Sequence, residues 1–166
     1  MADCEKHAKT PEISDYSNFD AFIPKNTSSY TKSHVTDNHF YNPATKEHYI
    51  IELKAGGDLD NKKAKSEKME LLKEYFILKN ELVGTDETVR IFFATAYNKN
   101  GEDNEWKQER VRQFFAEDEL LIGKNYWNFV CDDEDGLNII YDQYKISCQH
   151  ILESLEKIKS MYFLRD

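Results

Sequence analysis

Several things are missing or scarce in this sequence, and each shortage closes an avenue. No long apolar run exists: the longest, around Ile91 to Ala96, falls far below the ~20 residues of a membrane-spanning helix. The opening MADCEKHAKTPE has no apolar stretch of the kind a secretory signal carries, so none is expected. Cysteine is limited to 3 residues, Cys4, Cys131 and Cys148. They are odd in number, far apart and form no CxxC pair. That argues against a disulfide framework or zinc knuckle and for a reducing, cytoplasmic compartment. Positive charge is in deficit, with 22 Lys+Arg against 31 Asp+Glu and a net charge of −9. Taken as a whole, that balance speaks against nucleic-acid binding. The sequence has no GxGxxG, P-loop or GxSxG element, so nucleotide binding and serine hydrolysis find no support.

What is present suffices for one folded core. Of 166 residues, 40% are hydrophobic and 13% aromatic, which fits a single globular domain rather than a disordered chain. Residues 1–30 are polar and weakly periodic, with Pro11, Pro24 and Asn26-Thr27-Ser28-Ser29, and read as an N-terminal arm with one short ordered piece around Phe19 to Ile23. From residue 31 onward the chain reads as the folded domain, 31–166. His34 to Tyr41 is rich in β-formers, Asn42 to Glu47 is turn material, and His48 to Lys54 is a second strand, together a β-hairpin. Asp58 and Asp60 offer helix caps. Ala64, Lys68, Leu71, Leu72, Tyr75, Phe76, Lys79 and Leu82 then recur at helical spacing, so an amphipathic helix is expected over roughly 61–82. Val89 to Tyr97 reads as a buried central strand. Trp106 to Ala116 is expected to be helical, Tyr126 to Val130 is a short aromatic segment, and Asp132 to Asp135 is an acidic loop. Leu137, Ile140, Tyr141, Tyr144, Cys148, Ile151, Leu152, Leu155 and Ile158 repeat at three and four, the mark of a long C-terminal helix. The order β-β-α-β-α-α predicts a mixed α/β domain.

The hairpin carries the chemistry. Glu52-Leu53-Lys54 closes an apolar strand, and side chains on a strand alternate faces, so Glu52 and Lys54 project together while Asp37 joins them from the preceding strand. Two carboxylates and the Leu53 carbonyl suit a hard cation such as Mg²⁺. A metal held there would acidify water and neutralise a phosphate under attack. Lys54 would hold or deprotonate that water, or stabilise the charge of the transition state. A second E-x-K, Glu105-Trp106-Lys107, starts a helical pattern after a polar loop and lacks the strand context.

Thr36-Asp37, a hairpin and then Glu52-Leu53-Lys54 resemble the PD-(D/E)XK nuclease motif, with Thr36 where the motif has Pro. The strings IIELKAGGDLDNKKAKSEK and GKNYWNF resemble type II restriction endonucleases, the TdeIII-like group in particular. The resemblance covers residues 31–166. It implies a restriction-endonuclease-like core, a central mixed sheet flanked by helices. It also implies Asp37 and Glu52 as metal ligands, Lys54 as the catalytic lysine, Mg²⁺ as cofactor, and double-stranded DNA cut at a specific sequence by a homodimer. That family usually has a helix before the first motif strand, where this chain has only residues 1–30, so a naturally minimal enzyme and a chain lacking an N-terminal part both stay open. Another nuclease of the superfamily, acting in repair or on DNA structure, and a truncated, inactive DNA-binding or interaction remnant are the alternatives.

Lys62, Lys63 and Lys65 open the helix after the motif, where lysines beside free N–H groups suit a DNA backbone. Five lysines fall within residues 54–68, Lys54 and Lys68 included, so the positive charge is concentrated by the motif and the overall −9 misleads. Asp58 and Asp60 are read as caps, His34, His39 and His48 as surface or DNA-facing residues, and Tyr126, Trp127 and Phe129 as core. Cys131 and Cys148 are read as small buried hydrophobes.

Overall fold

The computed structural model describes residues 14–16, 35–56 and 58–162. The first pairing is decided at Asn42, whose side-chain oxygen accepts from the Ala44 amide at 2.9 Å and turns the chain. Strand β1 (Asn38–Asn42) thereby folds back antiparallel on β2 (Glu47–Lys54), with Asn38 opposite Ile51 and Asn42 opposite Glu47. After β2 the Asp60 carboxylate accepts from the Lys63 amide at 2.8 Å and starts helix α1 (Asn61–Glu81). The chain then returns as β3 (Thr88–Thr95), parallel to β2, with Glu52 beside Phe93 and Lys54 beside Thr95. A short helix α2 (Glu109–Arg112) and a 3₁₀ turn (Glu117–Glu119) lead into β4 (Leu120–Ile122), parallel to β3. The sheet runs β1-β2-β3-β4. It is mixed and flanked by helices, as expected for a restriction-endonuclease-like core.

Period-two alternation puts Ile50, Glu52 and Lys54 on one face of β2. Ile50, Ile91 and Phe93 pack there against Leu71, Leu72 and Tyr75 of α1, with Trp106, Val111 and Phe115 closing the cluster. Each such buried side chain is worth ~1.5–3 kcal/mol. Glu52 and Lys54 therefore sit where an apolar face runs out at the end of the sheet.

Two compact units divide the chain, residues 1–126 and 127–166. Helix α3 (Lys124–Cys131) supplies Tyr126 to the first. The second holds the end of α3 and the long helix α4 (Gly136–Tyr162). Within it Asn128 accepts from the Leu137 amide at 3.3 Å and donates to the Glu134 carbonyl at 2.7 Å, which fixes the turn between the helices. Gly136 is needed there, since a Cβ would stand 2.5 Å from the Trp127 carbonyl oxygen. Among the described residues no helix is long and apolar enough to cross a membrane.

The structure corrects the sequence reading in three places. The helix expected over 106–116 shrinks to α2, because Asn100 accepts from the Lys107 amide at 3.1 Å and holds Trp106 in a loop against Phe93. Strand β4 is new: three residues carry no readable period, and pairing with β3 alone defines them. The aromatic segment after Gly123 is helical. The arm expected over residues 1–30, its ordered piece near Phe19 and His34 lie outside the described residues, apart from 14–16.

Candidate active site

The end of β2 gathers charge. Glu52 accepts a short hydrogen bond from the Lys54 ammonium. The same ammonium lies 3.3 Å from a Glu67 oxygen, delivered by the second turn of α1. Burial is the main reason the Glu52 carboxyl is pushed up to about 7, with Glu67 adding to it against the opposing pull of Lys54. Burial lowers the Lys54 pKa, but Glu52 and Glu67 outweigh that and hold it above its ordinary value. Two carboxylates thus face one ammonium, an arrangement with spare negative charge.

Asp37 stands just before β1 rather than within it. Its carboxylate accepts from the Leu53 amide at 3.1 Å, which ties it to the centre of the Glu52-Leu53-Lys54 run. Thr36 donates to the buried Glu74 of α1 at 2.8 Å and so anchors the segment that carries Asp37. Tyr126 lies near Asp37: burial, and secondarily the Asp37 charge, raise its pKa. Asp37, Glu52, Leu53 and Lys54 are therefore brought to one place. Glu67 was not singled out in the sequence. Its only signal is its place one residue before Lys68 of the stripe, on the flank of the face that α1 turns to β2.

The donors suit a hard cation, because all are oxygens: two or three carboxylates and the Leu53 carbonyl. Among the described residues no three Asp, Glu, His or Cys form a ready-made metal cage. That is compatible with Mg²⁺, which is commonly held by one or two carboxylates and keeps several waters.

Lys62, Lys63 and Lys65 are exposed on the first two turns of α1. Lys68, counted with them in the sequence, is not part of that patch. It is 0% exposed and donates to both oxygens of Glu119, at 2.6 and 2.5 Å, and to the Tyr16 hydroxyl at 2.6 Å. Asp60 caps α1 as expected, whereas Asp58 pairs with Lys99 at 3.1 Å. His39 and His48 touch through ring nitrogens at 2.9 Å on the hairpin. Tyr126 is buried as expected, and Trp127 and Phe129 are half-buried. Cys131 is half-buried, but Cys148 is exposed, against expectation.

Comparison with protein families finds a match over residues 1–148 to the model described as "HinfI: Type II restriction endonuclease, HinfI". The TdeIII-like resemblance has no counterpart among these comparisons. No curated protein and no solved structure matches the chain.

Proposed function

The chain belongs to the HinfI family of type II restriction endonucleases, and from that premise we propose that it hydrolyses phosphodiester bonds of duplex DNA at the end of β2, with the chemistry of a PD-(D/E)XK nuclease. The observation that carries this reading is the excess of carboxylate around one ammonium, with Asp37 tied to the same tripeptide. Such an arrangement weakens the fold unless a cation or substrate completes it, which is how perturbed groups come to mark functional sites.

Asp37, Glu52 and the Leu53 carbonyl would hold Mg²⁺. When bound, the ion supplies charge neutralisation at a phosphoryl oxygen and a more acidic water. The remaining work falls to the chain. Lys54, gripped between two carboxylates, acts as a cationic donor that steadies the charge developing on the phosphate. Glu67 positions that ammonium. Lys62, Lys63 and Lys65 hold the DNA backbone without reading sequence. A homodimer would supply one such site per strand.

Plasmid digestion with and without Mg²⁺ tests the reading. Discrete fragments that appear only with Mg²⁺, and vanish in Glu52→Gln, are the expected result. A smear or a preference for branched DNA would replace restriction with repair chemistry. Intact plasmid under all conditions would mean that the site is inert.

A further inference from the structure

The hairpin carries a second cluster that the nuclease site does not use, at the other end of β2. His39 lies opposite Ile50 and His48 opposite Tyr41, so strand alternation puts both histidines on one face. Nine residues separate them in the chain, yet His39 Nε2 stands 2.9 Å from His48 Nδ1. His48 has a built surrounding. Its side chain is 12% exposed, and its other ring nitrogen, Nε2, is buried with no hydrogen-bond partner among the described residues. A Glu87 oxygen lies 3.5 Å from that nitrogen, and the second Glu87 oxygen accepts from the Tyr41 hydroxyl at 2.9 Å. Tyr41 also lies against the His48 ring, with centroids 4.5 Å apart. A buried polar atom left without a partner calls for an explanation.

We propose that His39 Nε2 and His48 Nδ1 bind one divalent transition-metal ion of the nickel or copper class, with water in its remaining positions. Two bonds of ~2.0–2.1 Å that span the 2.9 Å gap subtend about 90° at a shared ion. That is the cis angle of octahedral and square-planar coordination, which Ni²⁺ and Cu²⁺ take with imidazole. Tetrahedral zinc wants a wider angle. The exposed His39 ring has room to turn, so that both lone pairs meet at one point. Glu87 supplies what a metal-bound imidazole needs behind it: a carboxylate that takes the N–H of the other ring nitrogen and fixes the tautomer. Metal binding polarises the ring and draws that N–H onto Glu87, which gives the orphaned atom its partner. Among the described residues no third Asp, Glu, His or Cys completes a cage, so the site is two nitrogens open to solvent. Its donors set it apart from the oxygen site at Asp37, Glu52 and Leu53, because Mg²⁺ takes oxygen rather than imidazole. The ion acts as a clip. It ties β1, the outer strand of the sheet, to β2, two residues after Asp37.

The proposal stands apart from the nuclease reading, since it holds whether or not the chain cuts DNA. The test is calorimetric titration of Ni²⁺ into the full chain carrying His7→Gln, His34→Gln and His150→Gln, which leaves the pair as its only histidines. Mg²⁺ in large excess occupies carboxylate sites throughout. One Ni²⁺ per chain is expected. His39→Gln should weaken binding by about 100-fold, because two donors held together bind about 10²–10⁴-fold more tightly than either alone. His39 is exposed, so this variant should keep the circular dichroism of its parent. Glu87→Gln should weaken binding by about 10-fold, the cost of losing the group behind a ligand. Ni²⁺ should also slow amide exchange along β1 in the parent and not in His39→Gln. No Ni²⁺ binding to the parent, or binding that His39→Gln leaves unchanged, would overturn the proposal and leave the two rings joined by a hydrogen bond only.

Discussion

Glu67 and Lys68 are adjacent on α1, yet they belong to two ion clusters of opposite character. Lys68 is buried with Glu119, which is 1% exposed, and every N–H of its ammonium has an acceptor. Tyr16 donates to the same carboxylate, the Ala116 amide adds another donor at 2.8 Å, and the ammonium lies over the Phe115 ring at 4.9 Å. One positive charge meets one negative charge. Glu67 turns the other way, toward a half-open site where two carboxylates share one ammonium. Balanced burial holds elements together, and unbalanced partial burial leaves a site that asks for a cation. One helix turn therefore presents a neutralised pair on one side and an excess of carboxylate on the other.

That contrast can be broken from either side. The largest effect is expected at Lys54→Ala, which should cut the cleavage rate by about 10²–10⁴-fold while DNA retention in a gel-shift assay stays near wild type. Cleavage at the wild-type rate would end the assignment of Lys54. In the balanced cluster, Lys68→Met alone should destabilise the fold by about 3–5 kcal/mol in urea titration, because it strands the Glu119 carboxylate. Lys68→Met with Glu119→Leu should recover most of that loss, and both variants should retain the cleavage rate under conditions where they are folded. Glu67→Gln should lower cleavage by about 10–100-fold, the usual cost of losing an orienting partner, without lowering the melting temperature. A fall in stability like that of Lys68→Met would place Glu67 in the structural class instead.

The pH response sharpens the same comparison at smaller amplitude. Folding raises the Glu52 pKa, so its proton stabilises the folded chain below the ordinary carboxylate value of 4.5. That contribution is lost as the pH climbs through about 7. Without metal, the melting temperature should decline between pH 5 and 8 more in the wild type than in Glu52→Gln. Mg²⁺ should raise it more at pH 8 than at pH 6, where the ion must first displace the proton. The smallest effect belongs to Lys62, Lys63 and Lys65: each change to Ala should reduce the salt dependence of DNA binding by about one phosphate contact.

Much of this was readable in the chain because local rules govern it. The hairpin follows from Asn42-Pro43 between two β-rich runs, and the placement of Glu52 with Lys54 follows from strand alternation alone. The Asp60 cap and the α1 stripe are equally local. Glu67 was not readable, since its meeting with Lys54 depends on how α1 crosses back over β2. Lys68 was misread for the same reason: its Glu119 partner lies 51 residues away in sequence. Strand β4 needed β3 beside it to exist at all.

By itself, then, the sequence determined the class of fold, the strand alternation that puts Glu52 and Lys54 on one face, and the repeat along α4, because periodicity and turn chemistry act over a few residues. The tertiary structure alone decided that Glu67 joins Glu52 at the Lys54 ammonium, which lysine is buried and which lysines are exposed. Those are questions of dielectric environment and charge balance, and both are set by groups that the chain brings together only when folded.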